Sequence, residues 1–355
     1  MNSVINEFKF IELPTLLCLG ADMVRSLPQV IDRLSLGNKA LLMTDDFLRT
    51  RIAKDVEAIL EDADIEVSTS IIANSTMDEV NKQIGIHKES NPDFVIGLGG
   101  GRPIDIAKSV AFKTDQRFIS IPTISSHDGV ASSRASIMGT NKRHSIQALP
   151  PIAVVADTII LDKSPYRFTA AGCGDLIAKK TAIADWTLSH RLRNELISEY
   201  SIALSDMTVQ LITKNADIIR SQIEGYSRIV VKALISSSLA MCVAGSSRPG
   251  SGSEHMFSHA LDSIAEHPAL HGEQCALGTL MMGYLHNLNW ESIRDLMTKI
   301  GLPTKAKELG LKDEEIVRAL ELANTIRPER YTVLGRDGLT REAAEKVAIV
   351  TGVID

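Results

Sequence analysis

The residues best equipped for chemistry fall in three places along the 355-residue chain. Gly172-Cys173-Gly174-Asp175 brings a carboxylate to what reads as a helix start, and Ser253-Glu254-His255-Met256-Phe257-Ser258-His259 brings two imidazoles. Leu270-His271-Gly272-Glu273 adds a third imidazole just ahead of an apolar helix. On a helix, His255 and His259 are four apart and project from one face. Two histidines and one carboxylate make three protein ligands with a position left open, the arrangement of a catalytic zinc site. Iron accepts the same donors, so ligand types alone do not choose the metal. Glu254 precedes the first histidine, so the segment is not the H-E-x-x-H of zinc proteases. Cys173 and Cys275 flank the region and read as small buried residues rather than ligands.

A second chemistry is written in Phe94-Val95-Ile96-Gly97-Leu98-Gly99-Gly100-Gly101-Arg102-Pro103-Ile104-Asp105, where an apolar strand runs through three glycines into a helix. Exposed N–H groups at such a helix start, with the helix dipole behind them, attract phosphate. Proline in the first turn is preorganised for helix entry. The pattern stops short of G-x-G-x-x-G, because Arg102 holds the last glycine position, and it lacks the lysine of a P-loop. Thr44-Asp45-Asp46, at the end of an earlier strand, places a carboxylate either to meet an adenosine ribose or to cap the next helix. Ser246-Ser247-Arg248-Pro249-Gly250-Ser251-Gly252-Ser253 offers hydroxyls, an arginine and a helix start for a phosphate. Its other reading is a serine-glycine loop with an N-cap at Ser253.

These groups need a scaffold, and the first half of the chain supplies alternating elements. Lys39–Met43, Ile65–Ile72, Phe94–Leu98 and Phe118–Ile121 read as strands. Thr50–Glu61, Met77–Glu89 and Ile104–Phe112 read as helices between them. That alternation predicts a parallel sheet covered by helices on both faces. Ser136–Gln147, Ile152–Ala156 and Thr158–Leu161 read as further extended segments. Lys163-Ser164-Pro165 is a plausible boundary. Beyond it come amphipathic stretches at Leu176–Leu192, Glu195–Lys214, Arg228–Ala244 and Gln274–Leu288. The expected fold is an α/β N-terminal domain (1–163) with a Rossmann-like parallel sheet, and an all-helical C-terminal domain (164–355). The cleft between them is the expected site.

Composition narrows the classes. The chain is 44% hydrophobic and 23% charged, which excludes a disordered chain and a fibrous repeat. A net charge of −6, pI near 5.9 and 4% aromatics argue against nucleic-acid partners. Four scattered cysteines fit a reduced cytoplasmic protein better than a disulfide scaffold. Met1–Phe10 has no apolar core of a signal peptide. Ile229–Ala244 is broken by Lys232 and three serines and is shorter than the roughly 20 apolar residues a membrane span needs, so it reads as a buried helix.

The motifs occur in the order Gly99-Gly100-Gly101-Arg102-Pro103-Ile104-Asp105, Pro122-Thr123-Ile124-Ser125-Ser126-His127-Asp128-Gly129, Gly172-Cys173-Gly174-Asp175 and the two histidine segments. Steps of 80, 4 and 12 residues link Asp175, His255, His259 and His271. From about residue 10 to the C-terminus this resembles the archaeal glycerol-1-phosphate dehydrogenases, within the superfamily of glycerol dehydrogenases, iron-alcohol dehydrogenases and dehydroquinate synthases. The resemblance implies one Zn2+ on Asp175, His255 and His271, with His259, Asp128 and Asp175 toward the substrate. It implies NAD(H) or NADP(H) contacts from Gly101, Arg102, Pro103, Ile104 and Asp105, from Thr123, Ile124, Ser125 and Ser126, and from Ser132. The implied reaction is reduction of dihydroxyacetone phosphate to sn-glycerol 1-phosphate, the glycerol backbone of archaeal ether lipids. His259 or a relayed water is the candidate proton donor. The expected assembly is a cytoplasmic homo-oligomer without membrane insertion. Alternatives are a dehydrogenase of glycerol or another polyol, a dehydroquinate-synthase-like lyase, and a non-catalytic nucleotide-binding protein.

Overall fold

The computed structural model describes residues 11–139 and 143–355. The reading of Met1–Phe10, and the tip of the 136–147 segment, lie outside the described residues. Eight strands are present among them: β1 (Leu16–Gly20), β2 (Lys39–Thr44), β3 (Glu66–Ile71), β4 (Phe94–Gly99), β5 (Arg117–Pro122), β6 (Arg134–Met138), β7 (Arg143–Gln147) and β8 (Ala153–Asp157). Six of them form a parallel sheet in the order β1-β8-β5-β4-β2-β3. Strands β6 and β7 make a separate antiparallel hairpin, which accounts for the extended reading there.

Period-two alternation sorts the strand residues between two faces. Leu41, Met43, Val95, Phe118 and Val154 face helices α3 (Met77–Ser90) and α4 (Gly101–Thr114). Ala40, Leu42, Phe94, Ile96 and Val155 face α1 (Leu27–Arg33) and α2 (Lys54–Glu61). Both faces are covered, so the central strands are mostly apolar rather than alternating with exposed polar residues.

The second half is helical, as expected. Its longer helices are α5 (Tyr166–Ile177), α6 (Lys179–Arg193), α7 (Glu199–Lys214), α8 (Tyr226–Ala244), α9 (Ser253–Ile264), α10 (His271–Leu285), α11 (Trp290–Ile300), α12 (Asp313–Ile326) and α13 (Arg341–Val350). Helix α8 is long and apolar enough to cross a membrane by length and composition. Val230, Val231, Ala233 and Leu234 nevertheless bury it in the core, as the sequence suggested. One apolar cluster runs from the α3–α4 face of the sheet into these helices.

Three local expectations change. Thr158–Leu161 is helical rather than extended, within a short helix Thr158–Asp162, because Asp157 caps it by accepting from the Ile159 N–H at 2.9 Å. The Leu176–Leu192 stretch is two helices, α5 and α6, that meet at Ala178. Asp175 therefore lies near the C-terminal end of α5, not at a helix start.

Candidate active site

The glycines around Asp175 explain that displacement. A Cβ at Gly172 would lie 2.0 Å from the Ser125 carbonyl oxygen, and one at Gly174 would lie 2.4 Å from that of Gly272. A Cβ at Gly272 would lie 1.8 Å from the Ala171 oxygen. All three are below any real Cβ contact, so Gly174 and Gly272 serve the close crossing of α5 and α10, and Gly172 serves the approach of α5 to the Ser125 backbone, rather than a helix start. Arg167 fastens the same crossing with a two-pronged pair to Glu273 (2.7 and 2.8 Å). Glu273 also accepts from the Leu270 N–H at 3.1 Å, which fixes His271 as the first residue of α10. Asp175 on α5 and His271 on α10 are thereby brought to one place.

Helix α9 delivers the other two imidazoles to that place. His255 Nε2 lies 3.4 Å from Asp175 Oδ1. His255 Nδ1 donates to Glu254 Oε1 at 2.7 Å, a carboxylate–histidine pair that orients the ring and leaves Nε2 facing Asp175. The ring centroids of His255 and His271 are 5.0 Å apart, and those of His259 and His271 are 5.6 Å apart and nearly parallel. Ser258 holds His271 Nδ1 at 3.1 Å and is itself bonded to Gln274. Cys275 Sγ stands 3.5 Å from His271 Nε2, so the thiol that reads as a core residue is also within reach of a metal.

A buried lysine completes the cluster. Lys179 Nζ donates to Asp175 Oδ1 (2.7 Å) and to the Gly250 carbonyl (3.1 Å), and pairs with Asp128 Oδ2 at 2.8 Å. Asp128 in turn accepts from Ser237 Oγ at 2.7 Å and gives its N–H to Asp175 Oδ2 at 2.9 Å.

Charge and burial set the protonation states. Burial opposes an ionised Asp175, but Lys179, His255 and His271 outweigh it and hold the carboxyl well below its ordinary range. Burial likewise opposes a charged Lys179, and the Asp128 and Asp175 carboxylates outweigh it and raise the ammonium. His255 is raised well above its usual value, because Cys275, Asp175 and Glu254 overcome its burial. Burial, with the His255 charge added, pushes His271 well below its usual value, leaving a neutral imidazole with a free lone pair. Burial also lowers His259. Its Nδ1 has no hydrogen-bond partner, and Asp262 is 3.8 Å away.

The cluster opens on a cleft of about 680 Å³, lined on one side by His255, His259 and His271 and on the other by Gly101, Arg102, Asp105 and Asp128. Asp175 is 1% exposed and lies just behind that wall. Of the remaining nucleotide-contact candidates, Ile124, Ser126 and Ser132 line the cleft. Pro103, Ile104, Thr123 and Ser125 do not: all four are buried, and Ser125 bonds Thr169 at 3.1 Å. Gly99, at φ +147, makes the turn that aims the α4 N-terminus at the cleft. Asp45 takes its capping role, accepting from the Leu48 N–H at 3.0 Å.

Arg248 departs from the phosphate-binding reading. Its guanidinium makes a two-pronged pair with Glu195, by Nε at 2.7 Å and by Nη2, and donates to the Tyr331 carbonyl, so its charge is spent on structure. Ser253 is the first helical residue and bonds Asp185, while Gly252 holds the cap position. Sequence reasoning missed Glu254 as the orienting partner of His255 and Lys179 as the buried counter-ion. The i,i+4 spacing of Asp175 and Lys179 was the available signal for the second.

A six-stranded parallel sheet with a glycine-rich helix start, facing a helical half with a histidine–carboxylate cluster, is the architecture of a metal-dependent dehydrogenase. The family model for iron-containing alcohol dehydrogenase matches residues 18–165. A probable glycerol dehydrogenase from Sinorhizobium meliloti 1021 superposes with a TM-score of 0.82 at 23% identity, covering 97% of this chain and 98% of that one. Glycerol-1-phosphate dehydrogenase [NAD(P)+] from Thermococcus sibiricus is 50% identical over 343 residues, covering 97% of this chain and 98% of the relative. The relative of the same name from Methanosarcina acetivorans is 50% identical over 349 residues, 98% of each chain. The chain belongs to the NAD(P)-dependent glycerol-1-phosphate dehydrogenase family.

Proposed function

We propose that this chain reduces dihydroxyacetone phosphate to sn-glycerol 1-phosphate with NADH or NADPH, using a zinc ion held by Asp175, His255 and His271. The observation that carries the reading is the convergence of the Gly101 helix start and the histidine–carboxylate cluster on one cleft, in a chain half identical to NAD(P)-dependent relatives. The donors suit a divalent cation: an ionised carboxylate, a neutral His271, and a His255 ring already oriented by Glu254. Asp175 is the third ligand that the family resemblance implies; Cys275, grouped with His255 and His271 within 4.8 Å, stands ready as the alternative donor.

When bound, the zinc ion supplies Lewis acidity at the substrate's C2 oxygen and the dinucleotide supplies the hydride. The chain's own residues do the rest. Gly101, Arg102, Asp105, Ile124, Ser126 and Ser132 line the nucleotide side of the cleft, and Pro103, Ile104, Thr123 and Ser125 set the backbone beneath it. Lys179 fixes Asp128 and Asp175 at the substrate's edge, with Ser237 holding Asp128 from the other side. His259, buried beside His271, gives the proton that the C2 oxygen requires.

In this reading residues 1–163 bind the dinucleotide and 164–355 bind metal and substrate, and the enzyme works as a cytoplasmic homo-oligomer. The test follows NADH and NADPH oxidation with dihydroxyacetone phosphate, before and after chelation and zinc return, with the product's stereochemistry determined. Chelation should abolish turnover and zinc should restore it. A product of sn-glycerol 3-phosphate overturns the proposal.

A further inference from the structure

Four arginines gather where the α12 C-terminus meets the β6–β7 hairpin and the 246–253 loop, and only one of them is neutralised. Arg248 is paired with Glu195. Arg327 Nη1 donates to Ser247 Oγ (3.2 Å) and Ser251 Oγ (3.3 Å), and Arg330 donates to Ser247 Oγ (2.8 Å) and the Ser251 carbonyl (3.1 Å). Among the described residues neither Arg327 nor Arg330 forms an ion pair with a carboxylate, and the guanidinium of Arg134 has neither an ion pair nor a hydrogen bond. Burial and the neighbouring Arg327 and Arg248 guanidinium groups disfavour the charged form of Arg330 by more than Glu329 supports it. The charge of Arg134 also bears on Arg327.

Two guanidinium groups sharing one neutral hydroxyl is an arrangement that an anion would complete. Ser247 Oγ accepts from both arginines, which leaves its own hydroxyl hydrogen to donate. Arg134 and Arg327 line the same cleft as His255, His259 and His271. The Gly101 helix start lies in the sheet half of that cleft, so the arginine cluster is separate from the place expected for the dinucleotide's pyrophosphate.

We propose that Arg327, backed by Arg330 and Ser247 and faced by Arg134, is the site of the substrate's phosphomonoester dianion. The inference rests on the proposed reduction of dihydroxyacetone phosphate and adds what selects the phosphorylated substrate. The arginine fork matches phosphate in geometry as well as charge, and the three guanidinium groups more than balance the dianion's two negative charges. The net charge of −6 then poses no obstacle, because the attraction is local.

The test compares wild type, Arg327→Gln, Arg330→Gln and Arg327→Lys as zinc-loaded enzymes, each confirmed as folded by its melting profile. KM for dihydroxyacetone phosphate should rise about tenfold to a hundredfold in the glutamine variants, the loss of one charge-assisted bond. KM for NADH and NADPH should stay within about twofold, as should kcat/KM for unphosphorylated dihydroxyacetone. Inorganic phosphate, used as a competitive inhibitor and in calorimetry, should bind the wild type and lose affinity by a matching factor in Arg327→Gln. Arg327→Lys should recover part of both losses. Equal losses on dihydroxyacetone phosphate and dihydroxyacetone overturn the proposal, as does phosphate affinity that ignores Arg327. A rise confined to the KM of NADPH overturns it in favour of a cofactor 2′-phosphate site. If wild type fails to reduce dihydroxyacetone phosphate, the proposed function falls, while the phosphate calorimetry of wild type against Arg327→Gln still decides the anion site.

Discussion

Gly272→Ala tests whether the crossing of α5 and α10 builds the metal site. The new Cβ would stand 1.8 Å from the Ala171 carbonyl oxygen, 2.5 Å from its carbon and 3.1 Å from Ala171 Cα. All three are backbone atoms, so no rotamer change relieves the clash. Restoring contacts of about 3.5 Å requires the helices to part locally by roughly 1.5 Å. Overpacking of this kind costs about 3 kcal/mol, which lowers Tm by roughly 4 °C in a protein of this size. Helix propensity alone predicts the opposite sign. Gly272 is not in the left-handed region, and alanine favours helix over glycine by about 1 kcal/mol. The displaced elements carry Asp175 and His271, and metal sites tolerate only about 0.2 Å in ligand position. Zinc affinity should therefore fall about tenfold to a hundredfold. Thermal unfolding of the apo protein reads the first effect, and competition with a chromogenic chelator reads the second. An unchanged or raised Tm together with wild-type zinc affinity would refute the reasoning, because it would mean that the helices do not approach this closely.

Other perturbations separate structural from chemical roles. Arg248→Ala should lower stability by about 1–3 kcal/mol by stranding Glu195, with no loss specific to the phosphorylated substrate; denaturant midpoints and paired kinetics on dihydroxyacetone phosphate and dihydroxyacetone check it. Lys179→Met removes the buried cation between Asp128 and Asp175, so the apo protein should lose about 3–5 kcal/mol. Zinc should raise the variant's Tm more than the wild type's, because it restores a positive charge there, and equal increments would count against that placement. Tyr166 donates to the Ile300 carbonyl at 2.7 Å, and burial pushes its phenol up to about 12, against about 10 when unfolded. The raised pKa means that this stabilisation is complete below pH 10 and is lost as pH climbs toward 12. Tyr166→Phe should therefore be less stable at pH 8 and flatter in its stability between pH 10 and 12, and parallel pH profiles in urea would sink the assignment.

The sheet was legible because its strands are buried on both faces. Runs such as Ala40-Leu41-Leu42-Met43 and Phe94-Val95-Ile96 have one stable environment, and the helices between them carry one-sided apolar stripes. Failures came where a short polar contact overrode local pattern. Thr158-Ile159-Ile160-Leu161 has β-branched composition, yet the Asp157 side chain starts a helix there. At Gly172-Cys173-Gly174, the glycines read as the approach to a helix start because glycine weakens helix interiors. Their role depends on the carbonyls of Ser125 and Gly272, which lie far away in sequence.

The same distinction divides the site. His255, His259, His271 and Asp175 could be read because their types are rare and their spacing is helical. The partners that tune them were less legible, because an arginine or a lysine is recognisable as functional only when its counter-charge is known. Arg248 and Arg327 are the same residue type around the same serine loop, and only Arg248 stood out in the sequence. Glu195 neutralises Arg248 from 53 residues away, while no carboxylate reaches Arg327 among the described residues. An anion is drawn to a positive charge that the fold leaves unpaired, and that property belongs to the packing of α12 against the 246–253 loop. It follows that a relative of this fold acting on an uncharged polyol should either lack the Arg327–Arg330 pair or supply it with a carboxylate.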